Sequence, residues 1–315
     1  MKSILITGGY GFIGRNLALE LSKKGNKIFG IGRGSWNENE ALNWGFSSWF
    51  EADITIDNLN ILFKDKELPN IVYNCAGSSS VTKSTNNPNK SLIDTVLSCS
   101  ELLEWLRTYS NDSKTVFVSS AAVYGSEYER PILNSDFEKP ISTYGIHKLM
   151  SELLCKHYAK QYSLEIVIPR IFSVYGVGLK KQLIWDFCEK VNSGNDIKLG
   201  GTGEEKRDWI EIRDLVNILS SIPNIASTES PTVNIGSGKP TSVNEIINLM
   251  NNNFKKNYNK KLNINFDGNI RPGNPNVLIA DLAELQKHSV SSKISLKDGI
   301  FDYISWYMSR NKENF

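Results

Sequence analysis

The stretch Ile4-Leu5-Ile6-Thr7-Gly8-Gly9-Tyr10-Gly11-Phe12-Ile13-Gly14 decides the fold of this chain. Its short apolar beginning predicts a buried strand, and the glycines at positions 8, 11 and 14 predict a tight turn. Leu17, Leu19 and Leu21 then continue as a helix, and residues 27–31 read as a second strand. A strand, a glycine-rich turn, a helix and a further strand form the context of a dinucleotide fingerprint. Backbone N–H groups of such a turn can approach a pyrophosphate at the helix N-terminus.

The alternation of short apolar strands with helical stretches continues to about residue 170. Further strands are predicted at 71–74, 115–119 and 165–169, and helices at 92–106 and 144–162. This order predicts an α/β protein built on a doubly wound parallel sheet. After Gly176 the pattern breaks up into isolated helices and glycine-rich loops.

Residues that can carry chemistry lie near the middle of the chain, in Ser119-Ser120-Ala121-Ala122-Val123-Tyr124-Gly125 and Tyr144-Gly145-Ile146-His147-Lys148. Tyr144 and Lys148 are spaced to share one face of a helix. An ammonium beside a phenol favours the phenolate by about 4 kcal/mol at ~4 Å and an effective dielectric of ~20. A tyrosine whose pKa is lowered in this way can exchange a proton with an alcohol or ketone oxygen, to which Ser120 can also donate a hydrogen bond.

Composition excludes several classes of function. The net charge is +2 over 315 residues, which predicts neither a nucleic acid nor a charged membrane surface as a partner. No apolar run approaches the ~20 residues of a membrane span, and the first strand is too short for a signal peptide. The four cysteines form no C-x-x-C pair, which indicates buried reduced thiols and no metal site. We therefore expect a cytoplasmic protein.

Together these motifs resemble the extended short-chain dehydrogenase/reductases, in the branch of nucleotide-sugar epimerases, dehydratases and reductases. The resemblance runs from Ile4 to about Asp281. It is also carried by the segments Asn74-Cys75-Ala76-Gly77, Pro169-Arg170-Ile171-Phe172-Ser173-Val174-Tyr175-Gly176, Arg207-Asp208-Trp209-Ile210, Asn234-Ile235-Gly236-Ser237-Gly238 and Arg271-Pro272-Gly273. It implies a Rossmann dinucleotide-binding domain over residues 1–176. Residues 177–315 would form mainly a smaller α/β substrate lobe, with segments crossing back to the first domain.

The resemblance also implies roles for individual residues. Tyr144 would be the acid/base, Lys148 its electrostatic partner and ribose contact, and Ser120 the donor to the substrate oxygen. The cofactor would contact Gly8, Tyr10, Gly11, Phe12, Ile13, Gly14, Arg33, Ser35, Asp53, Ile54, Asn74, Ala76, Gly77, Ser119, Tyr144 and Lys148. The nucleotide sugar would contact Ser79, Ser120, Ser173, Arg207 and Arg271, with Ser173 standing where many relatives carry asparagine.

The end of the second strand bears on the choice of cofactor. In a Rossmann unit an acidic residue there often binds the ribose hydroxyls of NAD, but this chain reads Gly30-Ile31-Gly32-Arg33-Gly34-Ser35. Arg33 can pair with a 2′-phosphate, and Ser35 can add a hydrogen bond. The sequence therefore favours NADP(H), with NAD(H) as the alternative.

The residues after Ser120 bear on the reaction. The 4,6-dehydratases of this family carry an Asp-Glu pair at that point, whereas Ala121 and Ala122 cannot move protons. What remains is hydride and proton exchange at one carbon, C4 of a sugar. The favoured interpretation is an NADP(H)-dependent reductase of a nucleotide-4-ketosugar, as in polysaccharide biosynthesis. The alternatives are an NAD-dependent 4-epimerase of the UDP-glucose type and a non-catalytic NADP(H)-binding protein. The helices around 92–106 and 142–162 resemble those of a family dimer interface, so a homodimer is expected.

Overall fold

The computed structural model describes residues 1–269 and 275–312. The chain divides into two compact units, each built from several segments. The first unit comprises Met1–Gly125, Asn134–Ile171 and Val216–Asn234, and the second comprises Ser126–Leu133, Phe172–Leu215 and Ile235–Phe315.

Strands and helices alternate along the first half of the chain. The strands are β1 Ser3–Thr7, β2 Lys27–Gly32, β3 Ser48–Glu51, β4 Ile71–Asn74, β5 Lys114–Phe117, β6 Ser119–Ser120, β7 Ile166–Ile171, β8 Ser173–Tyr175, β9 Asp196–Leu199, β10 Lys206–Glu211, β11 Thr232–Ile235, β12 Pro240–Ser242, β13 Asn263–Phe266 and β14 Val277–Leu278. The helices are α1 Phe12–Lys23, α2 Glu38–Asn43, α3 Ile56–Phe63, α4 Val81–Asn86, α5 Pro88–Leu92, α6 Ser98–Tyr109, α7 Thr143–Tyr162, α8 Gln182–Ser193, α9 Ile212–Ser221, α10 Val243–Tyr258, α11 Ala283–Gln286 and α12 Leu296–Lys312. A π-helical turn, Ile93–Leu97, joins α5 to α6, and short 3-10 turns span Ala121–Val123 and Ile222–Ile225.

The larger sheet has the strand order β11-β7-β5-β4-β1-β2-β3, with β6 also paired to β7. The pairs from β3 through β7 are parallel. Strand order reverses between β1 and β4, and in open α/β sheets ligands bind outside the carboxyl ends of the strands at such a point. The prediction of a doubly wound parallel α/β sheet is confirmed.

The core of the first unit lies between this sheet and its helices. Leu5, Phe29, Val72, Phe117 and Ile168 come from neighbouring strands and are buried in one apolar cluster. Helix residues complete the cluster, among them Leu59, Leu62, Phe63, Leu102, Leu103, Trp105 and Leu106. Because both faces of the sheet are covered, the strands are continuous apolar runs, as the sequence indicated for β1.

The glycine-rich turn between β1 and α1 closes on the neighbouring strand. Gly8 has a φ of +67°, and a Cβ at this position would lie 2.7 Å from Cα of Ala76. A Cβ on Gly14 would lie 2.6 Å from the carbonyl oxygen of Gly8. Only glycine permits these two approaches, so the turn, the start of α1 and the end of β4 are brought together.

The second unit contains two smaller sheets. In one, β10 pairs with β12, β14 and β8, and in the other β13 pairs with β9. The buried carboxylate of Asp208 on β10 stabilises the sheet that contains β10, β12 and β14. It accepts hydrogen bonds from the backbone N–H groups of Ser237 at 2.5 Å, Gly238 at 2.9 Å and Ala280 at 3.1 Å. Asp208, the middle residue of the Arg207-Asp208-Trp209 segment, therefore has a structural role.

None of the helices in residues 1–269 and 275–312 is long and apolar enough to cross a membrane. In the same ranges, no three or more His, Cys, Asp or Glu side chains are grouped so as to hold a metal ion.

Candidate active site and cofactor site

Tyr144, Lys148 and Ser120 are brought together at the carboxyl end of the larger sheet. Ser120 ends β6 and caps the following 3-10 turn, accepting a hydrogen bond from the N–H of Ala122 at 3.2 Å. The side chain of Ser142 caps α7 by accepting from the N–H of Gly145 at 3.1 Å, so the first turn of this helix carries Tyr144. The Tyr144 phenol is half-buried and hydrogen-bonded with the Ser120 hydroxyl.

The electrostatics of this group differ from the expectation of a lowered tyrosine pKa. Burial raises the pKa of Tyr144, and the hydrogen bond with Ser120 offsets this only in part. Lys148 is 5% exposed, and its Nζ donates to the carbonyl oxygen of Val118 at 2.9 Å. Burial lowers the pKa of Lys148. In this state the ammonium is directed to a backbone carbonyl, and desolvation of the phenol dominates.

Ser119, predicted as a cofactor contact, has its hydroxyl engaged inside the protein. It donates to Oε1 of Glu152 at 2.5 Å. Glu152 also receives the guanidinium of Arg170, whose Nη2 lies 2.7 Å from Oε2, and both side chains are fully buried. Arg170 also pairs with Glu138, and its guanidinium lies 4.7 Å from the ring centre of Tyr124. The sequence did not single out Glu152, although it lies one helical turn beyond Lys148 on α7.

The N-terminus of α1 is suited to an anion. Gly11 is its N-cap and makes no side-chain capping hydrogen bond, and the first turn contains no acidic residue. The first N–H groups of a helix lack intrahelical partners, and the helix dipole favours negative charge at that end. Gly11 and Tyr10 are exposed there, and Phe12 and Ile13 are half-buried. These features fit the pyrophosphate of a dinucleotide, the group that the fingerprint predicts.

The loop after β4 borders the same region. Oδ1 of Asn74 accepts from the hydroxyl of Thr7 at 2.7 Å and from the N–H of Ala76 at 3.3 Å, so this predicted cofactor residue holds the loop against β1. A Cβ on Gly77 would lie 3.6 Å from Nζ of Lys148. Gly77 therefore lies directly beside Lys148, the predicted partner of Tyr144.

The end of β2 is more acidic than its sequence indicates. Nε of Arg33 lies 2.5 Å from Oδ1 of Asp53, and its Nη2 lies 2.6 Å from Oδ1 of Asp94. The hydroxyl of Ser35 donates to Glu51 at 2.8 Å. The sequence predicted Arg33, Ser35 and Asp53 at this site, but not Asp94 or Glu51. Ile54, also predicted here, is half-buried and packs against the apolar cluster.

A cavity of about 480 Å³ lies beside the loop after β4. Ser79, a predicted substrate residue, is part of its lining, with Gly77, Ser78, Lys83, Asn86, Asn87, Lys90, Ser91 and Asp94. His147 was expected at the surface or in packing, and it is buried, with Nδ1 2.9 Å from the hydroxyl of Ser91.

The remaining predicted substrate residues belong to the second unit. Ser173 lies on β8 opposite Trp209 of β10. Arg207 lies on β10, and its Nη1 donates to the carbonyl oxygen of Lys206 at 2.8 Å. Burial lowers the pKa of Arg207. Arg271 lies outside the described residues.

Comparison with known proteins gives one family match along most of the chain. The sequence model of the NAD dependent epimerase/dehydratase family matches residues 4–236. A putative UDP-glucose 4-epimerase of Methanocaldococcus jannaschii is 28% identical over 323 residues, which cover 98% of this chain and 99% of that protein. A dTDP-4-dehydro-6-deoxyglucose reductase of Escherichia coli is 27% identical over 291 residues, which cover 89% of each. UDP-glucuronic acid 4-epimerase from Bacillus cereus, solved with UDP-glucuronic acid and NAD, has the same fold. Its TM-score is 0.85 at 24% identity, covering 98% of this chain and 99% of that one.

Proposed function

Because this chain belongs to the NAD dependent epimerase/dehydratase family, we propose that it is an NAD(H)-dependent 4-epimerase of a nucleotide-diphosphate sugar. The observation that carries this choice over an NADP(H)-dependent reductase is the pairing of Arg33 with Asp53 and Asp94. The argument from sequence for NADP(H) required Arg33 to be available for a 2′-phosphate. An arginine held by two carboxylates favours the dinucleotide without that phosphate. The similarity to a putative UDP-glucose 4-epimerase supports the same choice.

The side chains at the carboxyl end of β6 and the start of α7 suit proton exchange at a sugar hydroxyl. The Tyr144 oxygen would take the proton of the 4-hydroxyl and later return it to the 4-keto oxygen. The Ser120 hydroxyl, already hydrogen-bonded with Tyr144, would donate to the same sugar oxygen. The positive charge of buried Lys148 would stabilise negative charge on the phenol oxygen. Bound NAD(H) would supply the hydride acceptor and donor.

Epimerisation requires no acid or base at a second carbon. Ala121 and Ala122 form the 3-10 turn directly after Ser120, and their methyl groups cannot carry protons. A 4,6-elimination of water needs acid and base side chains at these positions. The local structure therefore supports reaction at C4 alone. A sugar oxidised to a ketone at C4 must rotate within the site before the hydride returns to the opposite face of that carbon.

We assign recognition of the substrate diphosphate to Arg207 and Arg271, with Ser173 and Ser79 as smaller polar contacts. Arginine binds phosphate through paired N–H donors, which makes it suited to a nucleoside diphosphate. Arg207 contacts backbone carbonyl oxygens, so its guanidinium is oriented by the sheet that contains β10.

We also propose a homodimer formed through α6 and α7. Large apolar side chains are exposed on α7 and on the π-helical turn that leads into α6, namely Ile93, Leu97, Ile146, Met150 and Leu153. Burial of such side chains is worth roughly 25 cal/mol per Å² of apolar surface. Two copies that paired these helices would remove this stripe from water.

The function is tested on freshly purified protein in two steps. The protein is first denatured, and any released dinucleotide is identified by mass spectrometry with its stoichiometry. The native protein is then incubated with UDP-glucose or UDP-glucuronic acid without added cofactor, and the C4 epimers are separated. An epimerase retains NAD(H) and interconverts the epimers. An enzyme that releases only NADP(H), and oxidises added NADPH with a nucleotide-4-ketosugar, would be a reductase and would overturn the proposal.

A further inference from the structure

We infer that Asp94 is a specificity-determining residue of the cofactor site: by pairing with Arg33, it excludes the 2′-phosphate of NADP(H). This inference rests on the proposed NAD(H)-dependent function and names the residue that sets its cofactor. In many Rossmann units the discriminating carboxylate ends the second strand. Here Gly32 occupies that end, and the carboxylate comes instead from the π-helical turn before α6.

The geometry around Arg33 shows how its charge is used. Two different nitrogens of the guanidinium are engaged, Nε by Asp53 and Nη2 by Asp94. Asp94 is the less exposed of the two carboxylates, with 23% of its side chain accessible against 64% for Asp53. Lys90 lies 2.5 Å from the same Oδ1 atom of Asp94, one helical turn earlier. Two cations therefore hold the same carboxylate oxygen of Asp94, which makes Asp94 the better-anchored partner of the arginine.

Arg33 is already paired with carboxylates at this end of the site. Asp53 and Asp94 both pair with it, Lys90 pairs with Asp94, and Glu51 accepts a hydrogen bond from Ser35 in the same loop. A 2′-phosphate placed here would meet carboxylates and would have to compete for an arginine that they already hold. Ribose hydroxyls, in contrast, can donate hydrogen bonds to carboxylate oxygens. The cluster is therefore matched to NAD(H).

The loop that carries Arg33 is held by aromatic side chains. Nε1 of Trp49 donates to the carbonyl oxygen of Gly34 at 3.0 Å. A Cβ on Gly34 would lie 2.2 Å from the ring of Tyr10, so the loop rests directly on that ring. Trp36 packs against Tyr10 with ring centres 4.7 Å apart and ring planes tilted by 46°. These contacts fix the backbone at Arg33. The partner of the Arg33 guanidinium is therefore determined by the side chains around it.

The pKa shifts of Arg33 and Asp94 support a stable ion pair between these two side chains. The hydrogen bond to Asp94 raises the pKa of Arg33. Burial alone would raise the pKa of Asp94, but hydrogen bonds from Arg33 and Lys90 outweigh it and lower that pKa. Asp94 is therefore ionised at neutral pH and repels an incoming phosphate.

The test is a fluorescence titration of cofactor-stripped protein with NADH and with NADPH. We expect wild type to bind NADH at least tenfold more tightly than NADPH. Asp94→Asn should reduce that ratio at least tenfold, chiefly through tighter NADPH binding. Asp112→Asn removes an equal charge at an exposed position and should leave the ratio unchanged. Adding Arg33→Ser to Asp94→Asn should abolish the gain for NADPH, because the gain requires the released arginine.

The outcomes separate this inference from the proposed function. A wild type that prefers NADPH would overturn the proposed cofactor and this inference together. A wild type that prefers NADH, with the same ratio in Asp94→Asn, would overturn the inference alone. Near-ultraviolet circular dichroism of each variant checks that its fold is retained, and Glu51→Gln offers a second way to reduce the acidity if Asp94→Asn does not fold.

Discussion

Tyr144 holds its proton tightly in the cofactor-free protein. Its phenol is desolvated, and its hydrogen-bond partner is the neutral hydroxyl of Ser120, so burial raises its pKa. Lys148, one turn away, donates to a backbone carbonyl instead. Spacing along a helix placed the two residues on one face, but it could not predict which acceptor the ammonium would choose. A further positive charge in the site would favour the phenolate, and an oxidised nicotinamide ring would supply one.

Tyr144→Phe removes the oxygen that exchanges the proton and leaves the ring. We expect kcat to fall by about 10²- to 10⁴-fold, the usual range for loss of a general acid/base. Dinucleotide binding should remain, because the glycine turn is untouched. Steady-state kinetics and a cofactor titration measure the two effects. Tyr109→Phe, at a position 47% exposed on α6, should alter neither. Undiminished turnover in Tyr144→Phe would remove the catalytic role from this residue.

His147 gives a stability prediction with a definite sign. It is 8% exposed, and burial lowers its pKa below the ordinary value of about 6.5. The unfolded chain therefore binds a proton at His147 more readily than the folded protein does. This contribution to stability is complete above about pH 6.5 and is lost as the pH falls from there through the lower pKa of the folded protein.

Replacing His147 should therefore weaken the pH dependence of stability. Between pH 7 and pH 5.5 the urea midpoint of His147→Gln should fall less than that of wild type. His157→Gln, on the exposed side of α7, should follow wild type. Equal losses in wild type and His147→Gln would show that this imidazole titrates alike in both states.

At the scale of elements, α7 carries three functional groups on successive turns. Tyr144 and Lys148 belong to the candidate catalytic group, and Glu152 fixes the helix to the sheet. Glu152 accepts a hydrogen bond from Ser119 on β6 and forms an ion pair with Arg170 on β7. Ser119 and Arg170 lie directly opposite each other in the parallel pairing of these strands. The residue after Ser119 is Ser120, so the buried carboxylate of Glu152 links both parts of the candidate catalytic group. This link is tertiary, and helix spacing alone did not predict it.

Breaking the buried pair should destabilise the first unit strongly. Glu152→Gln leaves the guanidinium of Arg170 without its main counter-charge, and loss of one partner of a buried ion pair typically costs about 3–5 kcal/mol. Urea unfolding measures the change. Glu104→Gln, which removes an exposed pair with Arg107 on α6, is the matched control and should change stability only slightly. A similar small change in Glu152→Gln would show that the pair contributes little.

At the scale of the whole molecule, sequence predicted best what is local. The strand, glycine turn and helix of residues 3–23 follow from neighbours in the chain, and the structure has them where periodicity indicated. Arg33 and Asp94 are far apart in sequence, and no pattern connects a loop arginine with an aspartate on a distant helical turn. The family resemblance led us to expect segments that cross back to the first domain, but no sequence pattern identified which residues these would be.

The dimer proposed through α6 and α7 is tested at the same scale. Leu97 is 51% exposed and Leu153 is 57% exposed, so changing them disturbs little inside one chain. Leu97→Glu and Leu153→Glu together would place charge in an interface that depends on apolar burial, because an unpaired charge is costly to desolvate. By light scattering we expect wild type at twice the chain mass of 35.4 kDa and the double variant at that mass itself. Ile61→Glu, at an equally exposed position on α3, should remain a dimer. A wild type that scatters as a monomer would leave the exposed apolar stripe on the π-helical turn and α7 without the partner assigned to it.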